Sequence, residues 1–211
     1  MDLVEQIEAL LPQTQCGRCD YAACNPYAQA LANGEAQVNQ CAPGGTPTMQ
    51  ALASLLDRPE VPLSAERLAV AAQPLKAAHV IADQCIGCAM CLRVCPTDAI
   101  IGAPKRLHVV LTDDCTGCDL CAPACPVDCI EMIPHPNHHR QERVKNPLME
   151  IKALHSQALH IKRQRRLEKE NAEKAERKKH LSIKRNIAAS VARAKAKKRQ
   201  LNGTEENTNA V

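Results

Sequence analysis

The sequence predicts an α+β fold in three parts. A small cysteine-organised domain of helices and loops comes first, then a domain made of two copies of one strand-loop-turn module, then a long basic helix with a disordered end. Three observations carry this reading. Residues 77–133 repeat themselves at an offset of thirty. Four other cysteines lie between two amphipathic helical patterns near the amino terminus. After Pro147 the chain runs to 199 without Pro or Gly, rich in Ala, Leu, Glu, Lys and Arg. The boundaries that follow are 1–56, a linker at 57–76, the repeat domain at 77–135, the basic extension at 136–200 and a disordered tail at 201–211.

Each element has its own local reason. Asp2 with Glu5 forms a capping-box pattern, and Leu3, Ile7, Leu10 and Leu11 give a helical stripe that Pro12 ends. Residues 13–45, rich in Cys, Gly, Asn and Pro, read as a loop domain with a helical patch at 26–31 that Asn33-Gly34 breaks. Thr46-Pro47 reads as an N-cap followed by proline at the first helical position, with Met49, Leu52, Ala53 and Leu56 as the apolar face. The DRPEVPLSAE segment has no periodicity and reads as a linker. Strands are expected at 79–82 and 107–112, each followed by a cysteine loop and a helical turn, so that the halves pair about a pseudo-twofold axis. Within the last helix Leu148, Ile151, Leu154, Ala158 and Ile161 form an apolar stripe; beyond it the helix is polar nearly all round.

Composition narrows the class. The 211 residues include thirteen Cys and no Phe or Trp, so bound inorganic groups are expected to anchor the small cores. Met1 leads straight into DLVEQIEALL with no secretory leader, which favours a reducing cytoplasm over a disulfide scaffold. The longest apolar run, 68–82, is broken by Gln73, Pro74, Lys76 and His79 and is too short to span a bilayer. A soluble protein is expected. Residues 1–139 carry a net charge of −8, 140–200 carry +14 and the last eleven −2. An acidic body with a basic tail offers two electrostatic faces to partners.

The chemistry lies in the cysteines. Cys85, Cys88, Cys91 and Cys95 follow C-x2-C-x2-C-x3-C-P, and Cys115, Cys118, Cys121 and Cys125 repeat it. A cubane needs one thiolate per iron, and a wrapping loop with three close cysteines covers three corners. In two-cluster ferredoxins the fourth ligand comes from the other repeat. That predicts one 4Fe-4S cluster on Cys85, Cys88, Cys91 and Cys125, and a second on Cys115, Cys118, Cys121 and Cys95. Structural zinc is the competing occupant, but three cysteines in a row followed by C-P fit it poorly. Ile86, Met90, Ile100, Leu120 and Ile130 are the expected apolar packing around the clusters, and Gly87 and Gly117 let the backbone approach sulfide. Cys16, Cys19, Cys24 and Cys41 form another set, whose spacing alone fits zinc, a 2Fe-2S or a 4Fe-4S centre. Cys129 reads as a small buried thiol, and His135, His138 and His139 as part of a polar loop.

These residues also resemble a family. LVEQIEALLPQTQCGRCDYAACNPYAQALANGE, then NQCAPGG and the helix at 48–56, are similar to the B subunit of Rnf-type electron transport complexes, and CIGCAMCLRVCP and CTGCDLCAPACP continue the match over about residues 2–135. The resemblance implies a third 4Fe-4S cluster on Cys16, Cys19, Cys24 and Cys41, so that three clusters form a relay. It also implies a place on the cytoplasmic side of a membrane complex coupling ferredoxin and NAD oxidoreduction to ion movement. The sequence departs from the family in lacking its amino-terminal membrane helix, in Asp20 and Ala23 where glycines are common, and in the basic tail.

The function expected is single-electron transfer between a donor and an acceptor redox protein, with no substrate chemistry of its own. The acidic face of the repeat domain, with Asp83, Asp113, Asp114 and Asp128, suits transient docking on a basic partner. A competing reading makes the +14 tail a nucleic-acid binder with structural or sensory clusters. The missing aromatic rings and the scattered glutamates weigh against it. Attraction of the tail to anionic lipid headgroups is a third use.

Overall fold

The computed structural model of the protein describes residues 2–135 and 147–208. The expectations placed on 136–146, including His138 and His139, and on 209–211 lie outside the described residues. The chain divides into two compact units, Met1–Arg163 and Gln164–Val211.

The first unit opens with α1 (Leu3–Leu10). Its capping box is formed: Glu5 N donates to Asp2 Oδ1 at 2.7 Å and Asp2 N donates to Glu5 Oε2 at 3.0 Å. Leu11 is extended, as a residue before proline tends to be. Next comes α2 (Cys24–Ala32), followed by α3 (Gly45–Leu56). The cap of α3 is Gly44 and not Thr46, because the chain is already turning as it leaves Cys41: Gly45 N donates to the carbonyls of Cys41 and Ala42 at 3.2 Å. Only a glycine fits there, since a Cβ on Gly44 would fall 2.5 Å from Thr48.

The expected linker contains a helix, α4 (Ala65–Ala72), with Ser64 as its cap. It has no buried residues, so no strong apolar stripe announced it in the sequence. Leu63, just before it, is buried in the first core together with Ile7, Tyr27, Leu31 and Leu52. Burying each such side chain contributes roughly 1.5–3 kcal/mol. Tyr27 is the largest of them, and its hydroxyl donates to Gln37 O at 2.7 Å.

The repeat forms two small antiparallel sheets. Strand β1 (Lys76–Val80) pairs with β4 (Ile130–Pro134), and β2 (Ile100–Ile101) pairs with β3 (Val109–Val110). The pairing exchanges the halves: Val80 faces Ile130, and thirty residues away in each direction Val110 faces Ile100. The same exchange recurs in Ile81 N donating to Cys129 O at 2.8 Å and Leu111 N donating to Ala99 O at 2.7 Å. The strands sit earlier or run shorter than 79–82 and 107–112, and only the first half carries a helix in its cysteine loop, α5 (Met90–Val94). The second core is made of small residues and thiols, with Ala77, Ala78, Ala99, Ile100 and Ile130 packed among Cys91, Cys95, Cys115, Cys121, Cys125 and Cys129. Ile86 and Met90 are exposed and outside this core, but Ile86 lines the cavity that Cys85, Cys88, Cys91 and Cys125 share.

His135 is buried, not part of a polar loop. Its N–H donates to Leu75 O at 2.9 Å and its Nε2 lies 3.1 Å from Thr112 O, which extends the β1–β4 edge. Helix α6 (Pro147–Thr208) follows, and its residues up to Arg163 belong to the first unit. The predicted stripe faces outward: Ile151, Leu154 and Ile161 are exposed. The packed face is polar. Lys152 Nζ reaches Asp113 O at 3.4 Å, His155 Nε2 reaches Asp114 Oδ1 at 2.8 Å, and His160 Nδ1 donates to Pro96 O at 2.8 Å. Arg163 pairs with Asp98 at 3.3 Å. Backbone carbonyls and carboxylates of the repeat domain thus set the contact face, which an apolarity count does not register.

The second unit is the remainder of α6, exposed through 164–196 except at a few positions, with Arg166 paired to Glu170 at 2.6 Å one turn on. The helix continues to Thr208, beyond the disorder expected from 201. Asn202 and Gly203 are poor helix formers, but such propensities are a weak prior. No described helix is long and apolar enough to cross a membrane.

Candidate metal centres

The two cysteine loops are shaped by left-handed residues at matching places. Gly87 and Gly117 both have φ +67°, Ala89 and Asp119 have +61° and +69°, and Asp98 and Asp128 have +53° and +50°. Alternating handedness turns successive N–H groups toward one concave side, a geometry found at iron-sulfur sites. The glycines are also forced by close approach. A Cβ at Gly87 would fall 2.6 Å from Arg106 N, and one at Gly117 would fall 2.4 Å from Lys76 O. Those two neighbours are themselves thirty residues apart.

The loops enclose two cavities. Cys85, Cys88, Cys91, Cys125 and Cys129 line the first, and Cys95, Cys115, Cys118 and Cys121 line the second. In each, the fourth thiol of the motif set comes from the other half. Ile130 closes the first cavity and its counterpart Ile100 the second. Among the described residues no three His, Cys, Asp or Glu side chains gather closely enough to hold a single metal ion. The thiols ring two cavities, a donor set that fits a multi-iron group.

Burial makes three of these thiols, Cys91, Cys118 and Cys121, weaker acids. It pushes Cys121 up to about 12, helped by Cys118 and Cys115, and Cys118 up to about 11. Cys91 is raised for the same reason. At Cys125 burial also pushes upward, yet the N–H groups of Val127 and Cys129 outweigh it and hold the thiol below its ordinary value. Cys129 packs against it, Sγ to Sγ 3.3 Å, and burial raises this thiol to about 12. Thiols this reluctant to ionise become thiolates at neutral pH when a metal displaces their protons.

Cys16, Cys19, Cys24 and Cys41 come together in the first unit. Burial pushes Cys24 up to about 12, and Cys16 and Cys19 add to the effect; Cys41 is raised by burial and by Cys24, Cys16 and Cys19. Cys24 opens α2, whose cap Ala23 has no side-chain bond to give. Gln15 supplies it: Oε1 accepts from Cys24 N at 2.8 Å, while Gln15 Nε2 donates to Gln13 Oε1 and Gln13 Nε2 to Glu8 O, both at 2.7 Å. Both glutamines are buried with positive φ.

The first-domain loop abuts the second cavity. Thr116 Oγ1 donates to Thr14 O at 3.0 Å, Arg18 pairs with Asp119 at 3.4 Å, and Cys16, Gly117 and Asp119 share one cleft. Sequence reasoning missed Gln13, Gln15, Thr116 and His108, which lines the first cavity. Only His108 left a trace, as a histidine aligned with Ala78 in the repeat.

Comparisons with known proteins agree with this chemistry. A 4Fe-4S dicluster domain family matches residues 78–132, and an Fe-S cluster family model matches residues 11–43. The chain is 58% identical over 132 residues to a protein of Shewanella sp. strain MR-7, a match covering 63% of this chain and 66% of the relative. It is 53% identical over 106 residues to one of Azoarcus sp. strain BH72, covering 50% and 57%. A relative from Aeromonas salmonicida strain A449 is 56% identical over 134 residues, covering 64% and 70%. All three are named as the B subunit of an ion-translocating oxidoreductase complex. The chain spans less than two thirds of the length of the Shewanella and Azoarcus relatives. No solved structure matches it.

Proposed function

The chain belongs to the family of B subunits of Rnf-type ion-translocating oxidoreductase complexes, and we propose that it relays single electrons through three 4Fe-4S clusters held by its twelve motif cysteines. Cys85, Cys88, Cys91 and Cys125 hold one cluster, Cys115, Cys118, Cys121 and Cys95 the second, and Cys16, Cys19, Cys24 and Cys41 the third. A bound cluster supplies a one-electron couple. The protein wraps it with thiolates and N–H donors and keeps water out. The chain's partners are a donor and an acceptor redox protein and the other components of the membrane complex, which it meets on the cytoplasmic face.

One observation carries the reading: two cavities, each ringed by three motif thiols of one repeat and the fourth of the other. The contacts of Thr14 and Arg18 with Thr116 and Asp119 support an order for the relay. The first-domain cluster stands next to the one on Cys95, Cys115, Cys118 and Cys121, with the Cys85 cluster at the far end.

Iron and acid-labile sulfide are to be counted on anaerobically purified chain, with electron paramagnetic resonance of the reduced protein. About twelve irons per chain are expected from three cubanes. About eight would remove the first-domain cluster from the proposal, and zinc in place of iron would end it.

A further inference from the structure

The two thiol-lined cavities match under the thirty-residue exchange at Cys85 and Cys115, Cys88 and Cys118, Cys91 and Cys121, Cys125 and Cys95, and Ile130 and Ile100. They part at residue 129, where Cys129 lines the first cavity and Ala99 the second, and at residue 108. His108 lines the first cavity where Ala78 lines the second. The histidine is 2% exposed. Its Nδ1 lies 3.3 Å from Cys91 Sγ, and its Nε2 is buried with no hydrogen-bond partner among the described residues.

Another difference makes room for the ring. Gly102 sits so close that a Cβ there would fall 2.2 Å from His108 Cδ2. The residue matching Gly102 in the other half is Met132, which lines the second cavity beside Ala78. A large and a small residue have thus changed places between the halves. Each cavity keeps one large side chain, and what sets the first apart is the imidazole's ring nitrogens and not its bulk.

We propose that His108 is a positioning residue that donates an Nδ1–H hydrogen bond to the Cys91 thiolate and so raises the reduction potential of the cluster on Cys85, Cys88, Cys91 and Cys125. The inference rests on the function proposed above. A thiolate bound to iron has no proton to offer, so the ring nitrogen is the donor. Reduction adds one negative charge to the cluster and its thiolates, and a donor aimed at sulfur stabilises that charge more than the oxidised state. Burial strengthens the bond. The electron comes from a reduced one-electron donor protein and leaves to an oxidised acceptor; no covalent bond forms or breaks and the proton stays on Nδ1. At the second cavity Ala78 N lies 3.5 Å from the Sγ of Cys115, the counterpart of Cys85, while the hydroxyls of Thr116 and Thr97 stand beside Cys118 and Cys95.

The test compares full-length chain with His108→Ala and His108→Asn, whose side-chain amide retains an N–H donor. Iron is counted in each, and the couples are resolved by voltammetry and by redox titration followed with electron paramagnetic resonance. The expected result for His108→Ala is one couple shifted downward by about tenfold in its equilibrium constant, or about 59 mV for one electron. The remaining couples hold, and His108→Asn recovers most of the shift. The inference is overturned if fully loaded His108→Ala keeps every wild-type couple, or if asparagine restores nothing. It is also overturned if both variants lose four irons, which would make the ring a structural support. Wild-type chain without iron at these cysteines would sink the electron-relay reading instead, and the iron count separates that failure from the others.

Discussion

Gln15 shows how much one side chain carries here, because its carbonyl oxygen holds the first N–H of α2 and with it the backbone of Cys24. Gln15→Leu leaves that buried donor unsatisfied and is expected to cost roughly 1–3 kcal/mol. Thermal melting measures the loss, and iron content reports whether the first-domain cluster goes with it. His135 gives a pH dependence. Burial holds its folded pKa below the ordinary 6.5, so the unfolded chain binds the proton more readily. Stability is therefore full above about 6.5 and falls as the pH drops toward the folded value. Melting curves of His135→Gln are expected to show a shallower acid loss than wild type between pH 7 and 5. Neither role was legible in the sequence. Gln15 sits in a polar stretch with no motif, and His135 reads as loop because only the pairing of β1 with β4 buries it.

At the scale of elements, the cysteine loops were the most legible part, since the thirty-residue repeat marks their thiols and sets Gly87 and Gly117 at matching left-handed positions. Two left-handed positions, one in each loop, make opposite predictions. Gly117→Ala meets Lys76 O and adds a left-handed cost of about 1–2 kcal/mol, so a loss above about 2 kcal/mol is expected. Ala89→Gly relieves the same kind of cost at φ +61° and is expected to stabilise by up to about 1 kcal/mol. Chemical denaturation of both, with clusters loaded, checks the pair. Other elements were less readable. The short strands have weak periodicity, and α4 buries nothing, so tertiary contacts decide where they begin. The inner face of α6 was misjudged for a related reason. Its partners are carbonyls and carboxylates, to which Lys152, His160 and Arg163 are complementary and leucines are not.

The chain divides into the units Met1–Arg163 and Gln164–Val211, whereas the charge in the sequence changes sign near residue 140, so the first unit takes in part of the basic stretch. Ending the chain after Arg163 is expected to leave melting temperature and iron content unchanged, because 164–208 lies in its own unit. Ending it before Pro147 also removes the contacts of Lys152, His155, His160 and Arg163 and is expected to lower the melting point. If the acidic body meets its redox partner through charge, the rate of electron transfer falls as salt rises through the range where the Debye length shrinks below about 10 Å. A salt-independent rate would place the docking surface on the exposed apolar residues Ile86 and Met90 instead. The crossed pairing of strands and thiols also governs how the protein is made. When Pro96 has left the ribosome, neither of the adjacent sites has its full set of ligands, and β1 has no neighbour until residue 130 emerges. On the ligand sets proposed above, cofactor insertion waits for the finished module, and an oxidant that strips one site loosens a cysteine of the other half, so the pair is assembled and lost together.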